Sequence, residues 1–448
     1  MAMKDSLPGE GTQSCTLGLS PRLATRFAMP TLAPASSGHH ADLAPVASPR
    51  PFVGVVAVAL CGVCAFMDLY CTQPLLPMLV RLFHVSKAAA GLTVSASTLG
   101  VALTAPIVGS YAERYNRKNI IVGSILALAV PTLLAATAHG LAELVFWRFL
   151  QGALMPGIFA VAIAYVTEEW PENKVAIVMA IYVSGTVLGG FLGRLLAGLI
   201  ADRHGWQAAF LVLGAVNLAG GLLVAALLPH SKSKHHENAI RTASSVGDSE
   251  LFRAFRHLQN GDLLITFCIG FNILFVLVAT FTYVTFHLAA RPYSLSTSSL
   301  SMLFSVYLVG LVATPLGGVL LTRIDLRSGI VAAILMSLSG VLLTLFSPLG
   351  VIIVGLALCC SGVFIAQAAA ISHLRIAAPP GARVSAAGLY LSSYYIGGTA
   401  AGVVPGYAWS AGGWPACVAL TAAVQLITML LVLWGWRQRS GVHSADMA

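Results

Sequence analysis

The 448-residue sequence predicts an all-α membrane protein with twelve transmembrane helices in two six-helix bundles. Three observations carry that expectation. The chain is 57% hydrophobic and only 9% charged. Apolar windows of bilayer length recur along it in two sets of six. The second set echoes the first at fixed offsets.

Charge comes first because it excludes the most. A soluble domain carries roughly 25% charged residues, since its surface must face water. This chain has too few to coat a globule of its size, and its mean hydropathy is +0.85, so lipid is the solvent for most of its surface. The eight cysteines are scattered, with Cys61, Cys64, Cys359 and Cys360 inside apolar runs. They form neither a metal set nor a disulfide framework, and no cofactor is expected. The net charge of +9 does not point to nucleic acid, because the basic residues fall in short loops between apolar runs.

A hydrocarbon core of ~30 Å needs about 20 apolar residues per helix. Windows that meet this test lie near 52–79, 88–110, 119–138, 141–165, 175–200 and 207–228, then near 262–287, 297–321, 329–347, 349–373, 384–408 and 414–436. The resulting division is a disordered cytoplasmic tail (1–51), an N-terminal bundle (52–228), a cytoplasmic linker (229–260), a C-terminal bundle (261–436) and a short cytoplasmic tail (437–448). The tail at 1–51 is rich in Pro, Ala, Ser and Gly and lacks the apolar core of a signal peptide. With the first residue inside, 19 of the 25 Lys and Arg residues fall on the cytoplasmic side. Only Arg81, Lys87, Arg203 and Arg291 fall outside. That asymmetry puts both termini in the cytoplasm.

The halves are related. An offset of 213 lays Tyr182, Gly185, Thr186, Gly189 and Gly193 on Tyr395, Gly398, Thr399, Gly402 and Gly406; an offset of 209 lays Pro106, Gly109, Arg114 and Lys118 on Pro315, Gly318, Arg323 and Arg327. Parallel repeats suit two bundles related by an axis along the membrane normal, with a site between them.

Span two runs into Gly109-Ser-Tyr-Ala-Glu113-Arg114-Tyr-Asn116-Arg117-Lys118. This stretch resembles the loop signature of the major facilitator superfamily, G-x-x-x-[DE]-R-x-G-R-[KR], whose fold is two six-helix bundles. Asn116 stands in place of the usual glycine, and asparagine tolerates the left-handed conformation best after glycine, so the same turn is expected. Gly109 and the charged cluster are read as a gate. Met67-Asp68 through Gln73-Pro-Leu-Leu-Pro77 resembles the first-span motif of proton-driven drug antiporters. Arg148-Phe-Leu-Gln151-Gly152 resembles the fourth-span motif associated with proton coupling. Gly185, Gly189, Gly190 and Gly193 resemble the fifth-span antiporter motif, with Gly190 where proline is usual. Together with Gly193-Arg194-Leu-Leu-Ala-Gly198 and Tyr283-Val-Thr-Phe286, these resemble the YnfM-like group of bacterial efflux permeases.

Deep within the spans the only Asp, Glu, Lys or Arg residues are Asp68, Arg148 and Arg194. A charge at the bilayer centre costs ~2.5–3.5 kcal/mol or more, so such residues face a cavity or a partner. At 1.5 Å per residue, Asp68 lies ~24 Å from the cytoplasmic face and Arg148 ~10 Å in from the opposite face. In the fold that the resemblance implies, both spans line the central cavity, which makes Asp68 and Arg148 a candidate proton-coupling pair. Arg194 is expected as an interfacial or structural clamp. Gln73, Gln151, Asn272, Tyr283, Gln367 and Tyr394 are uncharged polar groups that can present hydrogen bonds to a substrate. One acid in an otherwise uncharged cavity favours neutral, cationic or amphipathic organic substrates. The expectation is a proton-coupled exporter working as a functional monomer, with a small organic molecule, protons and the lipid bilayer as its partners. The alternatives are an uptake symporter for a sugar or organic acid and, remotely, a membrane-embedded sensor or enzyme.

Overall fold

Helices make up all the regular structure among the described residues (51–111, 115–229, 260–321, 323–378 and 383–436) of the computed structural model. The expected tails and linker lie outside these residues except at their boundaries, as do Glu113 and Arg114 of the signature loop.

Span one consists of α1 (Pro51–Met67), a 3-10 turn at Gln73–Leu75 and α2 (Leu76–Phe83). Spans two and three are α3 (Lys87–Tyr111) and α4 (Arg117–Ala135), and span four is α5 (Leu141–Leu154) continued by α6 (Pro156–Glu169). α7 (Glu172–Leu227) holds spans five and six, and α8 (Gly261–Ala289) is span seven. Span eight is α9 (Thr297–Leu303), a 3-10 segment at Phe304–Val309 and α10 (Gly310–Leu321). Spans nine and ten are α11 (Leu326–Leu343) and α12 (Leu349–Ala377), and α13 (Arg383–Gly435) holds the last two.

Among the described residues, nine helices are long and apolar enough to cross a bilayer. Two of these are too long for one crossing: α7 has 56 residues and α13 has 53, where about 20 suffice. Each is interrupted by glycine, at Gly205 (φ 85°) and at Gly412 and Gly413 (φ 66° at the latter). Positive φ strains a residue with a Cβ, so glycine lets the chain turn there. With both divided, and the interrupted first helix counted as one crossing, the described helices account for the twelve expected spans.

The 52–79 window is continuous in hydropathy, yet the helix breaks between Met67 and Gln73. Pro74 has no N–H, and its ring excludes the helical position of the carbonyl four residues back, that of Tyr70. The break leaves the carbonyls at the end of α1 without helical donors, and Asp68 sits at its first position.

Spans one and five close on each other through small residues. A Cβ on Gly185, Gly189 or Gly193 would stand 2.4, 2.4 or 1.8 Å from the carbonyl oxygens of Ala59, Val63 and Met67 respectively. Both series step by four, so one glycine edge of span five lies along one ridge of span one, as close helix packing in membranes requires. The repeat-related glycines of span eleven do different work. Gly398 packs mainly on Leu274, whereas Gly402 meets Ser95 and the Gly91 carbonyl, and Gly406 meets Ala88, all in the opposite half.

The signature loop corrects one expectation. Asn116 is extended (φ −61°, ψ 119°), not left-handed, and caps α4 by accepting from the Lys118 N–H. A short polar side chain satisfies an orphan amide at a helix start, and that role overrides its tolerance of the left-handed region. Arg117 pairs with Glu168 at the end of α6.

Candidate functional site

Burial singles out the three charges that the sequence singled out. Asp68 and Arg148 are 0% exposed and Arg194 is 2% exposed, and no other Asp, Glu, Lys or Arg among the described residues is buried. They fall into two centres.

The first centre is built on the break in span one. Arg148, from span four, donates through Nη1 to the Asp68 carbonyl oxygen (2.7 Å) and to Gln151 Oε1, through Nη2 to the Leu69 carbonyl (2.5 Å) and Ser97 Oγ (3.1 Å), and through Nε to the Thr93 carbonyl (3.0 Å). A guanidinium has five N–H donors and no acceptor, and here each donor finds a neutral oxygen. Two of those oxygens are main-chain carbonyls of the broken segment, Asp68 and Leu69, which also accept from the Cys71 N–H (3.4 Å) and Ser97 Oγ (3.0 Å). Arg148 is therefore the clamp on the break.

The Asp68 carboxylate turns elsewhere. Its Oδ2 accepts from Thr132 Oγ1 (2.7 Å) in span three and from Asn217 Nδ2 (2.6 Å) in span six. Its Oδ1 has no hydrogen-bond partner. The two charges thus meet through an intermediary: Arg148 donates to Gln151, whose Nε2 donates to Thr132 Oγ1 (2.9 Å), which faces Asp68. Thr132 has one hydroxyl hydrogen and two acceptors in reach, Asp68 Oδ2 at 2.7 Å and the Leu128 carbonyl at 2.8 Å. When it donates to Leu128, its lone pairs face Gln151 and Asp68, and the carboxyl group can donate to it once protonated. Oδ2 therefore has a hydrogen-bond arrangement in both charge states of Asp68, while Oδ1 stays without a partner.

The second centre lies between the halves. Arg194 Nε donates to Gln73 Oε1 (2.7 Å) and Nη1 to the Gly190 carbonyl (2.6 Å). Gln73 in turn donates to Thr282 of span seven (2.9 Å). The guanidinium carbon is 4.7, 5.0 and 4.5 Å from the ring centres of Tyr70, Phe304 and Tyr307. No ion pair to Arg194 occurs among the described residues. Instead of reaching for an interface, it is caged.

The six polar residues named from sequence do not share one wall. Gln151 is enclosed in the Arg148 relay, and Gln73 joins Arg194 to the second half. The Tyr283 hydroxyl donates to the Gly402 carbonyl (2.8 Å) where spans two, seven and eleven meet. Asn272, with Ser337 and Gln425, lines a cavity of about 10 Å³ inside the second half; Asn272 Oδ1 and Gln425 Nε2 lack partners. Gln367 and Tyr394 are half-buried: Gln367 accepts from Tyr390 (3.1 Å), and Tyr394 packs against Tyr390 and Tyr395. Tyr395 stacks across the halves on Phe159, which packs on Phe66. Sequence reasoning missed Thr132, Asn217 and the aromatic residues Phe66, Phe159, Tyr390 and Tyr395. An amide in the middle of span six was the available signal for Asn217; nothing local distinguishes Thr132.

Hydrogen bonds between the halves, among the described residues, cluster at one end of the molecule. They join Gln73 to Thr282, Ser95 and Thr98 to Thr399, and Asp202 to Ser298. Lys87, at the start of span two, lies over the rings of Phe286 and Trp409. All these residues lie toward the face opposite the one where span one begins.

Known proteins share this architecture. Residues 58–306 match the model of the Major Facilitator Superfamily. The inner membrane transport protein YnfM of Escherichia coli (strain K12) is 34% identical over 87% of this chain and 91% of its own length. An uncharacterized transporter of Buchnera aphidicola subsp. Schizaphis graminum (strain Sg) is 31% identical over 85% of this chain and 90% of its own. Among solved structures, an inward-facing, unoccupied bacterial homolog of the human lysosomal transporter Spinster aligns with a TM-score of 0.66 at 17% identity, covering 86% of this chain and 96% of that one. The nucleoside transporter NupG aligns at 0.67 and 12% identity, covering 86% and 100%.

Proposed function

Starting from a chain that belongs to the Major Facilitator Superfamily, we propose that it exports small organic molecules from the bacterial cytoplasm in exchange for protons, as a monomer in the inner membrane with both termini inside. One observation carries the proton assignment. Asp68 is the one buried acid among the described residues, and its Oδ1 has no partner while its Oδ2 is held by a hydroxyl that has a second acceptor.

The proton binds the Asp68 carboxyl at Oδ1, which has no protein partner, and Oδ2 becomes a neutral carbonyl oxygen that accepts more weakly from Thr132 and Asn217. Asp68 lies at the break in span one, and the same break carries Gln73, the contact to the second half. Loading or releasing a proton therefore alters the segment through which span one touches the opposite bundle. Rocking of one bundle against the other then exposes the substrate path to alternate faces. The seal through Ser95, Thr399, Asp202 and Ser298 corresponds to the state open to the cytoplasm. The membrane field supplies ~2.3 kcal/mol per charge per 100 mV.

Asp68→Asn keeps the shape and removes titration. In proteoliposomes or inverted vesicles the variant is expected to lose transport driven by a pH gradient while retaining exchange without a gradient. Full gradient-driven transport by a folded Asp68→Asn protein removes Asp68 as the proton site. Direction is read separately, by dye and drug retention in a deletion strain and an overexpressing strain; accumulation of substrate in the overexpressing strain indicates the uptake symporter instead.

A further inference from the structure

We propose that Arg194 is the binding site for the carboxylate of an organic monoanion with a flat apolar body, held between the two halves. The inference rests on the transporter reading above but not on its proton coupling.

A buried cation requires compensation, and Arg194 has no acidic partner among the described residues. Arg148, equally buried, is satisfied differently: its donors are all taken by protein oxygens. Among the described residues Arg194 spends only two of five donors, on Gln73 and Gly190, and none of the hydrogen bonds there involves its Nη2. The three rings lie 4.5–5.0 Å from the guanidinium carbon, and the N–H edge at Nη2 has no protein acceptor among the described residues. A carboxylate suits that edge, because two of its oxygens match two neighbouring N–H groups.

A second, independent observation comes from span eight. The Tyr307 hydroxyl is buried and has no hydrogen-bond partner, although it belongs to a ring 4.5 Å from the guanidinium carbon. Phe304 and Tyr307 belong to the 3-10 segment Phe304–Val309. In that geometry residues three apart eclipse one another, which brings both rings onto the same cation. The irregular turn thus presents an unpaired donor beside an unpaired cation, which is the arrangement an incoming anion completes.

The two halves share this site. Tyr70, Gln73 and Arg194 come from the first and Phe304 and Tyr307 from the second, so parting of the halves removes two walls of the cage and leaves the guanidinium open. An anion bound there replaces the rings as the partner of the charge. The aromatic series Phe66, Phe159, Tyr395 and Tyr394 supplies apolar surface between the halves for the rest of the molecule. Substrate charge is thereby narrowed from the neutral or cationic classes that the lone acid suggests to the anionic class.

Benzoate, benzamide and benzamidine share one shape and carry charges of minus one, zero and plus one. Thermal unfolding of the detergent-purified full chain is measured against each at constant ionic strength. A ligand that binds only the folded state raises the unfolding temperature with concentration. Benzoate is expected to raise it saturably and the other two are not. Arg194→Lys, which keeps the charge without the fork, is expected to weaken benzoate by about tenfold or more, the effect of losing a charge-assisted hydrogen bond. Tyr307→Phe removes only an unpaired hydroxyl and is expected to fold normally and weaken benzoate severalfold. Equal responses to the three probes, no saturable benzoate response, or unchanged benzoate affinity in both variants overturns the site. Binding is read without a gradient, so a protein that binds benzoate through Arg194 yet ignores a pH gradient retains this site and loses the coupling.

Discussion

Arg148 holds Asp68 by the main chain: its Nη1 donates to the Asp68 carbonyl oxygen at 2.7 Å, while the carboxylate accepts from Thr132 and Asn217. The cation fixes the position of the acid without touching its carboxylate oxygens. The acid and the clamp are separate groups on a common break.

Removal of the clamp is therefore expected to act on the fold first. In Arg148→Ala the carbonyls of Asp68, Leu69 and Thr93 each lose a charge-assisted hydrogen bond, although Cys71 N–H and Ser97 Oγ still donate to the first two. A hydrogen bond to a charged group contributes about 1.5–3 kcal/mol, so the loss of three amounts to several kcal/mol. Thermal unfolding in detergent should show a large loss for Arg148→Ala and a small one for Asp68→Asn. Wild-type stability in Arg148→Ala would show that these bonds do not hold the break.

The three buried charges were legible because charge in an apolar run stands out in one dimension, and helical rise placed Asp68 and Arg148 at compatible depths. The all-helical membrane fold was legible for the same reason. The interruption of span one was less so, since Pro74 and Pro77 lie in a window whose hydropathy never falls. What the charges touch was not readable, because Thr132 and Asn217 are 64 and 149 residues from Asp68 and belong to spans whose rotation only packing decides. Arg194 shows the same limit. The sequence suggested an interfacial or structural clamp, but two of the rings that cage it, Phe304 and Tyr307, come from the other half.

Thr132 is expected to set the pH range of transport. Its hydroxyl stabilises the charged carboxylate by donating to it, and a valine of similar shape cannot. In Thr132→Val, the pH profile of gradient-driven transport should move to higher pH, because protonation then takes place with one fewer hydrogen bond to lose. A profile that coincides with wild type would mean that Thr132 keeps its hydrogen on the Leu128 carbonyl.

Topology is tested with single cysteines in a cysteine-free background. A cysteine replacing Ser296, which caps α9, should react with a membrane-impermeant maleimide only from outside the cell. One replacing Ser244, which lies outside the described residues, should react only from the cytoplasm. The reverse pattern would overturn the orientation drawn from the Lys and Arg asymmetry.

The seal between the halves depends on the absence of side chains at the contact of spans two and eleven. A Cβ on Gly402 would stand 2.2 Å from Ser95 Oγ and 2.8 Å from the Gly91 carbonyl, and one on Gly91 would stand 1.8 Å from the Gly402 carbonyl. Two backbones this close leave no room for a branched residue. Gly402→Val should hold the halves apart at this face and disfavour the closed state. Cysteines replacing Thr98 and Thr399 report on it, since the two hydroxyl oxygens lie 3.1 Å apart across the halves on these same spans. The pair should cross-link readily when Gly402 is present and slowly, with reduced transport, when valine replaces it. Because Gly402 lies far along the chain from Asp68 and shares none of its hydrogen bonds, gradient-free substrate binding should persist. Unchanged cross-linking in Gly402→Val would mean that spans two and eleven do not form the moving seam, and that closure must instead be carried by the Asp202–Ser298 contact of spans five and eight.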